Sequence, residues 1–445
     1  MFYNRPMSKN ARKALFYILF LAFIFLGTGI VLFAQGWRVD FPSFHISKVG
    51  GIYVRSYPDG ANIFLNGKSV QNQSGFLSPG TLISDLFPKT YVLALTAPGY
   101  RDWHENVAVA PSLVANHKNA VLVPATSEPA ASGTVTSFLV TQNGPIIETP
   151  NRALALNGNL IGAGTIIAAN NNTGSLIFRN LTGTYDAVAL PGGRPKNLSS
   201  ALLKAGFDPA NQRLIVSPLP NGDVFAITQK KAALLDISQA TSVILDALSP
   251  TIKDPVAAVS PSGIAWLHGM RTDGPAVLAF YDPSSGTVST TSIAIRSSVK
   301  ELSWVSGGTL GVLTDNNSLY LYRTDQRTLQ KLADDVRSFS ATQDGNRIAT
   351  LESRSMEIFT LNDPEGYYRF NIPDVTDAVA AIWYRDNDHL FIAYPGSISF
   401  LDLQDATLAN FISITAGTSP EYDPSQNILY FIAPDNTLQQ FSFPK

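Results

Sequence analysis

No cysteine occurs in the 445 residues. That absence excludes disulfides, thiolate-bound metals and a lipid-modified N-terminal cysteine. Charge is also scarce: Asp, Glu, Lys and Arg make up 15% of the chain and balance to a net −2. No polybasic field is present, so no nucleic-acid partner is expected. The five His residues, His45, His104, His117, His268 and His389, are scattered without metal-ligand spacing. Catalytic signatures are missing too. There is no Gly-x-Ser-x-Gly elbow and no Asp-x-Asp-x-Asp-Gly calcium loop. Gly67-Lys68-Ser69 lacks the earlier glycine of a phosphate loop, because position 62 is Asn. His104-Glu105 lacks the second histidine of a zincin pattern, because position 108 is Ala. Neither a cofactor nor an enzymatic activity is expected.

What the chain does have is one long apolar run, Ala14 to Gly36, 23 residues without a charge. A helix rises about 1.5 Å per residue, so about 20 such residues cross a ~30 Å hydrocarbon core. Tyr17 and Trp37 lie near its ends, where amphipathic rings prefer the membrane interface. Residues 1–13 hold Arg5, Lys9, Arg12 and Lys13 and no acid, whereas Arg38 beyond the run is answered by Asp40. The positive-inside rule then predicts a cytoplasmic tail (1–13) and a transmembrane helix (14–36) in the lipid bilayer. Everything from residue 37 falls on the far side, beginning with a juxtamembrane segment (37–49). A buried core helix does not fit, since no face of the run is polar. A cleaved signal peptide is the alternative, with Ala34-Gln35-Gly36 as its small-x-small site; its apolar region would exceed the usual ~7–15 residues. Both readings export the rest of the chain.

Beyond the run the fold class is mostly β. The chain's 32 Gly and 28 Pro accompany many Val, Ile, Thr and Tyr, the composition of short strands and turns. In residues 50–124, Ile52, Val54 and Ser56 alternate with Tyr53, Arg55 and Tyr57. Asn66-Gly67 marks a two-residue hairpin, because both turn positions need φ > 0. The spacing predicts a compact antiparallel sandwich. This segment resembles the PEGA domain, a small β module of bacterial and archaeal surface proteins. Its signature appears as Pro58, Asp59, Gly60 and Ala61, preceded by Val54-x-Ser56 and followed by Phe64-x-Asn66-Gly67 and Gly99-Tyr100. The family's short Gly-x-Thr-Pro turn is replaced by the longer Gln71–Thr81. The resemblance implies an extracytoplasmic module. An exported bacterial chain commonly lacks disulfides, so Asn171-Asn172-Thr173 and Asn180-Leu181-Thr182 read as chance sequons.

Residues 125–134 contain no large apolar residue and read as a linker. From 135 to 445 a repeat dominates: strand, polar turn, apolar strand, turn, alternating strand. Units begin at 207, 259, 302, 339, 382 and 421, with a degenerate earlier one over 154–191. Steps of roughly 40 residues are those of a four-stranded propeller blade. About seven blades are predicted, with Thr134–Thr141 completing the last one and closing the ring. The units resemble the WD40-like repeats of the bacterial TolB type, and Phe339 to Ala349 carries that frame most fully.

Trp266, Trp304 and Trp383 sit on early strands of their units. They read either as packing between blades or as a binding-face ring that stacks on sugars or a peptide. His268 and His389 read as strand-end residues, although a propeller axis can bring distant blades together. The function expected is that of a membrane-anchored, extracytoplasmic binding scaffold of the cell envelope. Its partner would be an envelope protein or a cell-wall glycan. Two alternatives remain open: an enzyme with an axial site acting on envelope glycans or peptides, and a structural spacer.

Overall fold

The computed structural model describes residues 8–444, apart from 41–44, 75–78, 171–173, 211–213, 220, 237–240, 249–251, 253, 271–273, 362–367, 374–376 and 404–409. For 368–373 the backbone is described. The sequon at 171–173 thus lies outside the described residues. Two compact units divide between Ala125 and Thr126.

The first unit opens with a helix, Lys9–Ala34, that buries none of its side chains. It is long and apolar enough to cross a membrane. It starts before the apolar run, because Lys, Ala and Arg extend a helix readily. Ser8 sets its start by accepting the Ala11 N–H at 3.3 Å. After the helix, Trp37–Asp40 pairs antiparallel with His45–Lys48. Arg38 ties this strand pair back to the helix end, donating to Phe33 O at 2.7 Å and pairing with Asp85 at 2.7 Å.

Two sheets follow. One runs Thr81–Leu86, Gly50–Tyr57, Val114–Val121; the other runs Lys68–Val70, Asn62–Leu65, Thr90–Thr96, Trp103–Ala108. Ile52 and Val54 from the first sheet and Ile63, Leu93, Leu95 and Trp103 from the second are buried. Buried His117 and Glu105 meet across the sheets at 3.0 Å. The expectation of a wholly antiparallel sandwich needs correcting. Gly50–Tyr57 and Val114–Val121 pair in parallel, which is possible because the entire second sheet lies between them in sequence. Asn66 (φ +49) and Gly67 (φ +76) form the expected hairpin turn. In the PEGA signature, Gly60 has φ +82 and Ala61 is buried, its carbonyl accepting from Asn72 at 2.7 Å.

The second unit is a ring of four-stranded sheets. Six are separate, and a seven-stranded sheet supplies two more through the shared strand Asn159–Asn170. The blades, in order, span 137–163, 164–197, 215–247, 257–293, 299–333, 338–373, 380–416 and 418–442, the last completed by Glu128–Thr134. The described residues therefore form eight sheets rather than seven. Ser137–Thr141, expected to close the ring, is instead the innermost strand of its own blade. Closure lies one strand earlier, where Glu128–Thr134 pairs antiparallel with Thr437–Ser442. The stretch expected to be a linker is thus largely strand. Its composition misled because an outermost strand needs no large apolar side chain, and an edge tolerates Pro129. A register shift between Pro129 and Thr134 bends it.

Second strands of the blades are buried on both faces, as at Leu390, Phe391 and Ile392, so they read as unbroken apolar runs. Seam packing closes the circle. Phe138, Val140 and Ile147 of blade 1 pack against Tyr430, Ile432 and Leu438 of blade 8.

Candidate functional site: the axial cavity of the propeller

The innermost strands of blades 1, 6, 7 and 8 end at a shared cavity of about 750 Å³. Short polar turns carry each chain from the innermost to the second strand, so the turn residues ring its mouth. Gln142, Gln343 and Arg385 are exposed there. Trp383, Tyr384 and Tyr422 supply an aromatic wall, and Glu421 an acid.

The wall is locked. Tyr422 donates to Asn427 Oδ1 at 2.6 Å, and Asn427 donates to Tyr384 Oη at 2.9 Å. Burial and then the neighbouring Tyr384 push the Tyr422 phenol up, so it stays neutral. Glu421 accepts the Val140 N–H at 2.6 Å and bridges blades 8 and 1. Burial holds its carboxyl above the usual range, with the Val140 N–H pulling the other way.

Behind the wall lies His389, fully buried. Its Nδ1 is 2.8 Å from Asp386 Oδ2, and its Nε2 is 3.4 Å from Asp402 Oδ2. The ring stacks on Phe400 at 4.9 Å. Burial pulls its pKa down, but Asp402 and Asp386 together outweigh it and raise the value to about 10. The imidazole is therefore a cation that holds a pair of acids. Asp386 also accepts the Asp388 N–H at 2.9 Å, so this cluster pins the turn that carries Arg385.

The tryptophans do not form one ring at a face. Trp266 is 0% exposed on the second strand of blade 4 and cannot stack on a ligand. Its Nε1–H reaches across the seam to Asp246 at 2.9 Å, and His268 Nδ1 meets the same carboxylate at 2.7 Å, away from the axis. Trp304 and Trp383 occupy matching places on innermost strands. Each donates its indole N–H to the preceding blade's innermost strand, to Ala258 O at 3.3 Å and Ser340 O at 3.1 Å. Only Trp383 borders the axial cavity. Pro58, Asp59, Gly60 and Ala61 form a turn in the other unit. Among the described residues no group of three or more His, Asp or Glu could hold a metal ion.

Sequence reasoning missed Gln142, Gln343, Arg385 and Glu421 as a set. Three of them lie in, and Glu421 just before, the turn after an innermost strand, the one signal that could have gathered them.

Residues 49–120 match the PEGA domain. No curated protein matches the chain in sequence. Solved structures of similar fold include a eukaryotic initiation factor (TM-score 0.51, 15% identity, 72% of this chain and 94% of that one). The C-terminal WD40 domain of Sif2 is similar too (TM-score 0.51, 10% identity, 72% of this chain and 99% of that one). BamB from Moraxella catarrhalis has a TM-score of 0.46 at 11% identity, over 72% of this chain and 100% of that one. Identities this low speak to fold alone. The chain joins a PEGA domain, after an apolar N-terminal helix, to a β-propeller.

Proposed function

We propose that this protein is a single-pass, membrane-anchored scaffold of the cell envelope whose propeller captures a segment of a partner protein in its axial cavity. The observation that carries the reading is the cavity itself. At about 750 Å³ it lies within the ~300–1,000 Å³ of ligand-sized sites. Its mouth presents amides, a guanidinium and a carboxylate around a locked aromatic wall, a surface that recognises by contact. No reaction is assigned to it. Lys9, Arg12 and Lys13 at the helix start support the reading of a cytoplasmic N-terminus with residue 37 onward outside.

Photo-crosslinking residues at Gln142 and Gln343 test the docking in intact cells. A discrete protein adduct from either position, lost on Arg385→Glu, is expected. No adduct from either position, or adducts indifferent to Arg385→Glu, would overturn the docking proposal. Protease added outside cells whose outer barrier has been opened tests orientation. Digestion of the propeller with protection of an N-terminal tag is expected, and a mature N-terminus at Trp37 would mean a released protein.

A further inference from the structure

A second recess lies away from the axis, at the seam between blades 4 and 5, with a volume of about 310 Å³. Its floor is aromatic. Phe280 stacks on Tyr322 at 5.6 Å between ring centres and meets Trp304 edge-on at 6.4 Å. The Trp304 indole N–H is already donated to Ala258 O. What the half-buried Trp304 offers the recess is therefore ring surface, not a donor.

The rim has the opposite character. Ser289, which pairs with Phe280, and Thr291 project from the outermost strand Thr287–Ile293, with Asp282 at the end of the neighbouring strand and Arg327 on a turn. Donors from Ser284 and Ser285 hold the Asp282 carboxyl below the usual range, so the rim keeps an ionised acceptor. Recesses of similar size occur at the seams of blades 5–6 (about 230 Å³) and 2–3 (about 290 Å³), and no described aromatic ring lines either. The hollow is thus a product of blade geometry. Of these three recesses, only this one has an aromatic floor among the described residues.

A ligand for such a site needs an apolar face for the rings and hydroxyls around its edge for the rim. A pyranose has both: axial C–H groups on one face and an equatorial belt of hydroxyls. We propose that this recess is a binding subsite for a short neutral saccharide. It is independent of the axial cavity and of what docks there.

The test uses the full chain in an amine-oxide detergent, since glycosidic detergents would compete. Chitotetraose and maltotetraose are the probes, followed by saturation-transfer NMR and tryptophan fluorescence. Binding of at least one probe is expected, weakened about tenfold by Trp304→Leu, which is about 1.4 kcal/mol. Ser289→Leu blocks the rim from an exposed strand and is expected to weaken binding equally. It decides the matter alone if Trp304→Leu does not fold. Arg385→Glu is expected to leave binding unchanged. Failure of both probes to bind, survival of binding in Ser289→Leu, or its loss in Arg385→Glu would each overturn the assignment.

Discussion

Replacing His389 with leucine tests whether a buried cation holds the wall of the axial cavity. The imidazolium lies 2.8 Å from one carboxylate and 3.4 Å from another, at 0% exposure. Removing one member of a buried charged cluster leaves the others uncompensated and costs about 3–5 kcal/mol. In a unit of this size roughly 2 °C of melting temperature accompanies each kcal/mol, so a fall of roughly 6–10 °C is expected at pH 7. The sign with pH follows from the raised pKa. Below the unfolded value of about 6.5 both states carry the proton, and the full contribution is present. Above it the unfolded chain releases the proton while the folded protein keeps it up to about 10. Stability from this group therefore declines as pH rises through that window, by up to about 1.4 kcal/mol per pH unit. Thermal unfolding followed by near-UV circular dichroism between pH 6 and 9.5 measures the decline. Histidine labelled with ¹⁵N reports the protonation directly. A ring that titrates below pH 7, or a leucine variant that melts with the wild type, would refute the reasoning.

Three further predictions concern the ring's seams. Glu421→Gln keeps an acceptor for the Val140 N–H and is expected to leave the melting temperature at pH 7 unchanged or higher, because burial already disfavours the charge. Glu421→Ala orphans that N–H and is expected to cost about 1–3 kcal/mol; equal melting of the two variants would count against the bridge. For Glu421 itself, whose carboxyl is raised, the contribution is greatest below its unfolded pKa of about 4.3 and is lost as pH rises through the folded value. Deleting residues 126–134 strips the outer strand from blade 8 and bares the edge of Thr437–Ser442. Concentration-dependent association is expected in light scattering, and a stable monomer would contradict the closure role. Gly164 (φ +156) sits where the shared strand passes from blade 1 to blade 2, and an added Cβ would lie 2.1 Å from Arg179 O. Gly164→Val should therefore destabilise the propeller by at least about 2 kcal/mol in chemical denaturation, and wild-type stability would disprove the close approach.

Some features were legible because one physical requirement left one mark. A membrane-length helix needs an unbroken apolar run, and Ala14 to Gly36 is one. A two-residue hairpin needs positive φ twice, and Asn66-Gly67 meets it. Second strands of blades are covered on both faces, so their apolar runs gave the period. Outer strands are half in solvent and leave little trace, which is why Glu128–Thr134 passed for a linker. The first blade was obscured for a related reason: its outer strands, Ala153–Leu156 and the start of Asn159–Asn170, mix Leu and Ile with Ala, Gly and Asn and carry no β-branched or aromatic run. The axial cavity was not legible at all. Gln142, Gln343, Arg385 and Glu421 are ordinary polar residues until closure brings blade 1 beside blade 8. The tryptophans were visible, but their indole N–H groups turned out to be donors across blade seams.

The strand that closes the ring also joins it to the rest of the chain. Ser127, just ahead of it, bonds Gln439 across 312 residues of sequence. In most tethered domains a protease cut in the tether frees an intact module. Here a cut within residues 128–134 would break the clasp of the propeller, and the released piece would carry an open, aggregation-prone edge. The same strand delays assembly. The ring can shut only after its final blade has been made, so one of the earliest propeller segments to emerge is among the last to find its partner.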